Sequence, residues 1–289
     1  MLPNFLGLGA QKAGTTSLFE YLRSHSDIYL PPNKETAFFY HDYLYEKGLS
    51  YYSDHYFGGW KGQKAVGEIS PHYLYHPFCC ERIRKHLNNL NFIIMLRNPI
   101  DRAYSNYLME VRRGRENLSF KEAIEKEPER IKKGLFEKDT YSYVQRGFYY
   151  EQIKMYMDRF DDSRFLFLLS EDLKNNRETT MKQVYRFLGV DKEINASFLE
   201  KEYHTASKMR FTWLYKFLTA PPPWSKTMTK ALIPFKLRQD IKGFLYRYNK
   251  KTFTPPPVDM EIRLHLRKIF AESNKNLEKL IGKNLSHWK

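Results

Sequence analysis

The chain begins with an apolar run, NFLGLG at residues 4–9, and passes at once into GAQKAGTT at 9–16 and a segment with Leu18, Tyr21 and Leu22 at helical spacing. A short apolar run that turns through glycines into a helix N-terminus reads as a buried strand followed by the first helix of a βαβ unit. That start demands a parallel partner strand, and the sequence offers several. KAVGEIS (64–70), NFIIML (91–96) and RFLFLLS (164–170) are apolar runs of strand length, and NFIIML is apolar enough to lie inside a sheet. Between them fall helical patterns: Ile83, Leu87 and Leu90 in the stretch from Cys80 to Leu90, Tyr104, Leu108 and Val111 after Pro99, and Met181, Val184 and Leu188 before Gly189. Strands separated by helices imply right-handed crossovers and a parallel sheet. The expected fold is therefore α/β, a P-loop-like parallel β-sheet flanked by helices on both faces, with the ligand site at the carboxyl ends of the strands.

The remaining chain suits a single domain over 1–289 with additions. The charge-rich stretch from Gly114 to Lys138 reads as a solvated helical excursion, and Met260 to Leu280 as a closing helix. Residues 210–257, aromatic, basic and bracketed by triple prolines at 221–223 and 255–257, are expected to be a mainly helical C-terminal insert: a lid, an acceptor-binding element, or a surface that lies on membrane. Lys and Arg outnumber Asp and Glu by 48 to 33, so acidic partners are favoured, but the charge is spread along the chain and no nucleic-acid module is recognisable. The only cysteines, Cys79 and Cys80, are adjacent and suit neither a structural disulfide nor a zinc site. No leader-like start and no run of about 18 apolar residues is present, so the expectation is a protein without a transmembrane segment, and a cytoplasmic one.

The glycine loop carries the chemistry. In a triphosphate site, G-x-x-x-x-G-K-[ST], a lysine follows the second glycine and reaches the β- and γ-phosphates. Here Thr15 stands in that place and Lys12 lies in the middle of the turn, beside the first phosphate and whatever group it carries. Thr15, Thr16 and Ser17 supply hydroxyl and backbone donors at the helix N-terminus. A Walker B strand would end in Asp to hold magnesium, whereas NFIIML ends in Arg97, a bidentate phosphate ligand, with Ser105 two turns into the next helix. The residues therefore suit a nucleotide with one 5′-phosphate bearing a transferable group and a further phosphate elsewhere, and require no metal.

GAQKAGTTSL after the first strand and MLRNPIDRAYSNY after a later one resemble the 5′-phosphosulfate loop and the 3′-phosphate motif of sulfotransferases that use 3′-phosphoadenosine 5′-phosphosulfate (PAPS). KETAFF (34–39), GEISPHYLYHP (67–77), SEDLKNN (170–176) and FLGV (187–190) extend the resemblance, which is to the bacterial enzymes related to heparan sulfate and other glycan sulfotransferases. It implies PAPS as co-substrate, 3′-phosphoadenosine 5′-phosphate (PAP) as product, and a carbohydrate or small-molecule acceptor. It also implies that Gln11, Lys12, Ala13, Gly14, Thr15, Thr16 and Ser17 hold the 5′-phosphate, with Lys12 stabilising the leaving oxygen, and that Arg97 and Ser105 hold the 3′-phosphate. Glu35 takes the position of the glycan enzymes' catalytic base, where partial burial by Phe38 and Phe39 would raise its pKa; His72 is the rival base. The chain departs from the glycan enzymes at Glu68-Ile69-Ser70, where they carry a lysine, so that Lys34 or His72 substitutes for it or the acceptor differs. The nucleotide loop of the aryl enzymes is absent as well, its place falling to Ser207, Lys208 and Arg210. Two alternatives stay open: a P-loop kinase or nucleotidase, and N-sulfation of an amine.

Overall fold

A computed structural model describes residues 1–191, 207–211, 214, 217–218, 221–222, 234–252 and 254–288. The elements in chain order are β1 (Phe5–Gly9), α1 (Thr15–Arg23), β2 (Ile28–Tyr29), α2 (Asp42–Tyr45), α3 (Gly48–Phe57), β3 (Ala65–Ile69), α4 (His72–Tyr75), α5 (Pro77–His86) and β4 (Asn91–Leu96). They continue with α6 (Pro99–Arg112), α7 (Phe120–Glu125), α8 (Glu127–Arg130), α9 (Leu135–Tyr141), α10 (Tyr149–Met157), β5 (Phe165–Leu169), α11 (Ser170–Asn175) and α12 (Arg177–Leu188). After them come β6 (Ser207–Met209), α13 (Phe235–Asn249), β7 (Lys250–Thr252) and α14 (Met260–Ile281).

Five strands form one parallel sheet in the order β2-β3-β1-β4-β5, flanked by helices, which is the expected α/β fold. NFIIML is an interior strand, as its composition required, and β1 lies at the centre between β3 and β4. The loops that follow β3, β1 and β4 therefore leave the sheet side by side at its carboxyl edge, where open α/β sheets bind ligands.

Local signals account for the helix ends. Asn98 accepts a hydrogen bond from the Ile100 N–H at 2.9 Å and caps α6, with Pro99 in the first helical position. Gly189 ends α12 at φ 69°, a left-handed cap. α5 starts three residues earlier than Cys80, at Pro77, and stops at His86, because the chain must extend from Leu87 to enter β4.

The two free cysteines are buried in this helix. α6 corrects the apolar periodicity more sharply. Val111 is exposed and Tyr104 and Leu108 only half-buried, whereas beyond the buried Pro99 and Ile100 of the first turn the buried positions are Arg102, Ala103, Asn106, Met109 and Glu110. A helix whose inner face is partly polar defeats a search for apolar stripes.

By contact density the chain divides into two compact units, the first comprising 1–103, 144–204 and 263–289, the second 104–143 and 205–262. The first holds the five-stranded sheet and a core that includes Phe5, Leu8, Leu18, Ile94 and Val184. The second holds α7 to α9, α13 and the antiparallel β6–β7 pair. Within it the stretch 114–138 is largely solvated, as expected, but Glu116 is buried. Its carboxylate accepts hydrogen bonds from Arg130 at 2.6 Å and from the Tyr143 hydroxyl at 2.8 Å. Of the expected insert 210–257, residues 212–213, 215–216, 219–220, 223–233 and 253 lie outside the described residues, and its described part holds α13 and β7.

Candidate active site

The glycine loop is tied to the sheet at its start and closed by a turn within itself. The Ala10 N–H donates to the Met95 carbonyl of β4 at 2.5 Å, and the Ala13 N–H closes a turn onto the Ala10 carbonyl at 3.1 Å. Inside that turn Lys12 has φ 72° and Gly14 φ 96°. A left-handed lysine is uncommon and costs free energy, so the surrounding bonds must hold it. Gly14 is required by its φ, and an added Cβ would in addition come into close contact with Met95 Sδ at 3.4 Å. α1 then begins at Thr15 and buries Leu18, Phe19, Tyr21 and Leu22, which anchors its N-terminus over the loop. The first-turn N–H groups of such a helix point at the concavity and favour an anion.

Arg97, the first residue after β4, reaches this loop: its Nη1 donates to the Lys12 carbonyl at 3.2 Å, and its own carbonyl accepts from the Tyr149 hydroxyl at 3.0 Å. The chain thus brings together Gln11 to Ser17 and Arg97. Gln11 Oε1 is buried and has no hydrogen-bond partner among the described residues, an arrangement that a bound donor would relieve. The side chains gathered at this edge are donors of the kind a phosphate takes, with no carboxylate following β4.

The third strand end supplies a different device. Glu68 of β3 is 1% exposed, in a strand otherwise of Ala, Val, Gly and Ile. Its Oε1 accepts from the Tyr52 hydroxyl at 2.7 Å and from Tyr73 at 3.0 Å; its Oε2 accepts from Ser70 at 3.0 Å and from Thr36. Burial raises its pKa from the usual carboxylate value, with the bonds from Thr36, Tyr52, Ser70 and Tyr73 opposing in part. Burial likewise pushes the Tyr52 and Tyr73 hydroxyls up, reinforced by the carboxylate they face.

This hub holds the loop that carries Glu35. Glu35 and Ala37 both have left-handed backbones, φ 65° and 52°, while Thr36 between them is drawn inward onto Glu68. The Phe38 N–H donates to Thr36 Oγ1 at 3.3 Å and the Phe39 N–H to the Tyr73 hydroxyl at 3.2 Å. Phe38 stacks on Tyr52, with ring centres 4.3 Å apart. With Thr36 pinned below, Glu35 stands above it at 40% side-chain exposure and pairs with Lys34. The expectation of partial burial is corrected as to Phe38 and Phe39, which do not shield this carboxylate from solvent. Those rings fill the core beneath, and the left-handed turn sends the carboxylate outward.

The other expected site residues are placed as follows. His72 opens α4 after β3, half-buried, and stacks on Tyr40 with ring centres 5.0 Å apart. Ser105 is half-buried on α6, in the part of that helix belonging to the second unit. Lys208 lies in β6 opposite Lys251, and the exposed Arg210 sets its guanidinium 5.3 Å from the Tyr248 ring centre, also in the second unit. Sequence reasoning missed the role of Glu68, whose signal was a lone acid in an otherwise apolar strand.

Among the described residues no helix is long and apolar enough to cross a membrane. The family model of the sulfotransferase domain matches residues 2–241. Heparan sulfate glucosamine 3-O-sulfotransferase 3B1 of Mus musculus is 26% identical over 256 residues, 87% of this chain and 63% of that protein. The membrane-associated sulfotransferase kil1 of Dictyostelium discoideum is 33% identical over 120 residues, 41% of this chain and 25% of that protein. The matched stretch is thus under two thirds of the length of either curated relative. The crystal structure of a sulfotransferase from Alicyclobacillus acidocaldarius superposes with a TM-score of 0.70 at 28% identity, covering 100% of this chain and 99% of that one. With a family match running through both the glycine loop and the Arg97 strand end, the chain belongs to the sulfotransferase family.

Proposed function

We propose that this protein transfers the sulfuryl group of PAPS to an acceptor hydroxyl on a sugar or small molecule, releasing PAP. The observation that carries the reading is the bond from Arg97 to the Lys12 carbonyl, which unites a lysine-bearing loop with a guanidinium where a magnesium site would need a carboxylate. When bound, PAPS supplies an activated sulfuryl group whose transfer leaves a phosphate oxygen carrying the charge.

In this reading Gly14 to Ser17 bind the 5′-phosphate through the α1 N-terminus, with Gln11 and Ala13 completing the loop. Lys12 places its ammonium at the departing oxygen and lowers the barrier electrostatically. Arg97, directly after β4, and Ser105, farther along the same segment on α6, hold the 3′-phosphate. Glu35 accepts the acceptor hydroxyl's proton, its exposed carboxylate being accessible to an incoming ligand and its loop fixed from below by Thr36 and Glu68. A relative named for glucosamine 3-O-sulfation supports a sugar hydroxyl as acceptor. Where the glycan enzymes carry a lysine this chain has Ile69, so either Lys34 or His72 substitutes for it or the acceptor differs from heparan sulfate.

The test is transfer of labelled sulfate from PAPS to a panel of glycans and phenols by the native protein, Glu35→Gln and His72→Ala. Loss of kcat by about 10²–10⁴ in Glu35→Gln, and by less than about tenfold in His72→Ala, is expected for Glu35 as base. The reverse pattern would assign that role to His72, and no transfer to any acceptor would overturn the proposal.

A further inference from the structure

α13, FKLRQDIKGFLYRYN, exposes the side chains that a helix of a soluble domain normally buries. Leu237, Ile241, Phe244 and Tyr248 are 52%, 41%, 61% and 58% exposed. Their spacings of four, three and four residues keep them within one stripe about 60° wide on a helix that turns 100° per residue. The rings of Phe244 and Tyr248 stand 6.4 Å apart and near parallel, so the two aromatics form one exposed surface at its C-terminal end. Phe211 and Phe217, from the same unit, are also substantially exposed. Contiguous apolar surface of this kind marks a binding face.

Charge identifies what binds. From residue 206 to residue 258 the sequence has eleven Lys or Arg and a single acid, Asp240. Lys242 is exposed and Arg238 half-exposed on one flank of the stripe, Lys251 is exposed just beyond the helix, and Arg210 lies over Tyr248. An apolar stripe of aliphatic and aromatic residues beside cationic flanks is the arrangement of a helix lying in the plane of a membrane interface. A second copy of this chain would bring two such basic faces together and repel. A nucleic acid would satisfy the cations but gain little from Leu237 and Ile241.

From these observations we infer that α13 docks this protein on an anionic lipid surface, its apolar stripe inserted at the headgroup boundary and its basic residues on the lipid phosphates. Each Lys or Arg near such a surface strengthens binding about fivefold, and each inserted aromatic by about tenfold or more. The inference is independent of the sulfuryl-transfer reading, since it uses neither the glycine loop nor Glu35.

The test is co-sedimentation of the full chain with vesicles of phosphatidylcholine alone and of phosphatidylcholine with phosphatidylglycerol. The expected result is binding to the anionic vesicles only, weakened at high salt and reduced about a hundredfold or more by Phe244→Ser with Tyr248→Ser in a protein that melts as the parent does. Phe244→Trp gives a second reading that does not depend on removing the face. Its added fluorescence should be quenched by brominated acyl chains in anionic vesicles. Binding that survives the double substitution, Trp emission untouched by the quencher, absence of vesicle binding, or self-association abolished by the same substitutions would each overturn the inference.

Discussion

Replacing Glu68 by Ala should be among the most damaging single changes in this chain, and the structure allows its cost to be worked out. The substitution removes the acceptor of four buried hydroxyls, those of Thr36, Tyr52, Ser70 and Tyr73. Thr36 and Tyr73 lie 3.4 Å apart and can pair with one another, which leaves two or three hydroxyls without a partner. At about 1–3 kcal/mol for each unsatisfied buried group, the loss is roughly 2–9 kcal/mol, a large part of an ordinary domain's stability. Glu68→Gln is the informative partner. Its carbonyl oxygen can keep the bonds from Tyr52 and Tyr73 while its NH₂ faces Thr36 and Ser70, whose hydroxyls rotate to accept, so the cost near neutral pH should be only about 1–2 kcal/mol.

The pH dependence has a definite sign. Because burial raises the folded-state pKa of Glu68, the folded protein keeps its proton at pH values where the unfolded chain has lost it. Native stability therefore falls, from this group, as pH rises from about 4.5 through the raised value. Glu68→Gln lacks that loss, so the native protein's advantage over it should be largest at or below pH 4.5 and shrink above. Urea unfolding of the three proteins from pH 4 to pH 8 measures both effects. A Glu68→Ala protein within about 1 kcal/mol of the native one, or a Glu68→Gln difference that grows with pH, would refute the reasoning.

Other expectations follow from single residues. Thr36→Val keeps the volume but releases the Glu35 loop from Glu68; it should lower kcat more than it lowers stability, seen by pairing a sulfate-transfer assay with a thermal melt. Gly14→Ala forces a Cβ into a left-handed backbone against Met95 and should cost about 1–2 kcal/mol in denaturant titration, together with nucleotide affinity. Burial alone would raise Glu116, but the bonds from Arg130, Tyr143 and the Leu118 N–H outweigh it and hold the carboxyl below its usual range. Its stability contribution is therefore present above about pH 4.5 and lost as pH falls through the lower folded value, so Glu116→Gln should cost about 2 kcal/mol at pH 7 and nothing at strongly acid pH.

The sheet was readable in the sequence because each interior strand, as in NFIIML, is a short apolar run bounded by polar or glycine signals. The placement of the glycine loop and of Arg97 at neighbouring strand ends was readable because each directly follows an apolar strand run within a single segment. What escaped is non-local or polar. Glu68 gathers Thr36, Tyr52, Ser70 and Tyr73 from three separate segments, a convergence that no local pattern encodes. The exposure of Glu35 depends on two left-handed residues without glycine, which propensity argues against. The face of α6 was misjudged because Arg102, Asn106 and Glu110 occupy it. The two-residue β2 is too short to announce itself.

The most direct test of the donor site is calorimetric titration of PAP and of 5′-AMP, with EDTA present, into the native protein and Arg97→Ala. Tight binding of PAP, weak binding of AMP, and collapse of that preference in Arg97→Ala is the predicted outcome, because Arg97, beside the Lys12 turn, is the charged partner proposed for the additional phosphate, with Ser105 adding only a hydroxyl. Equal affinity for both nucleotides in the native protein, or a preference that survives the substitution, would contradict the account.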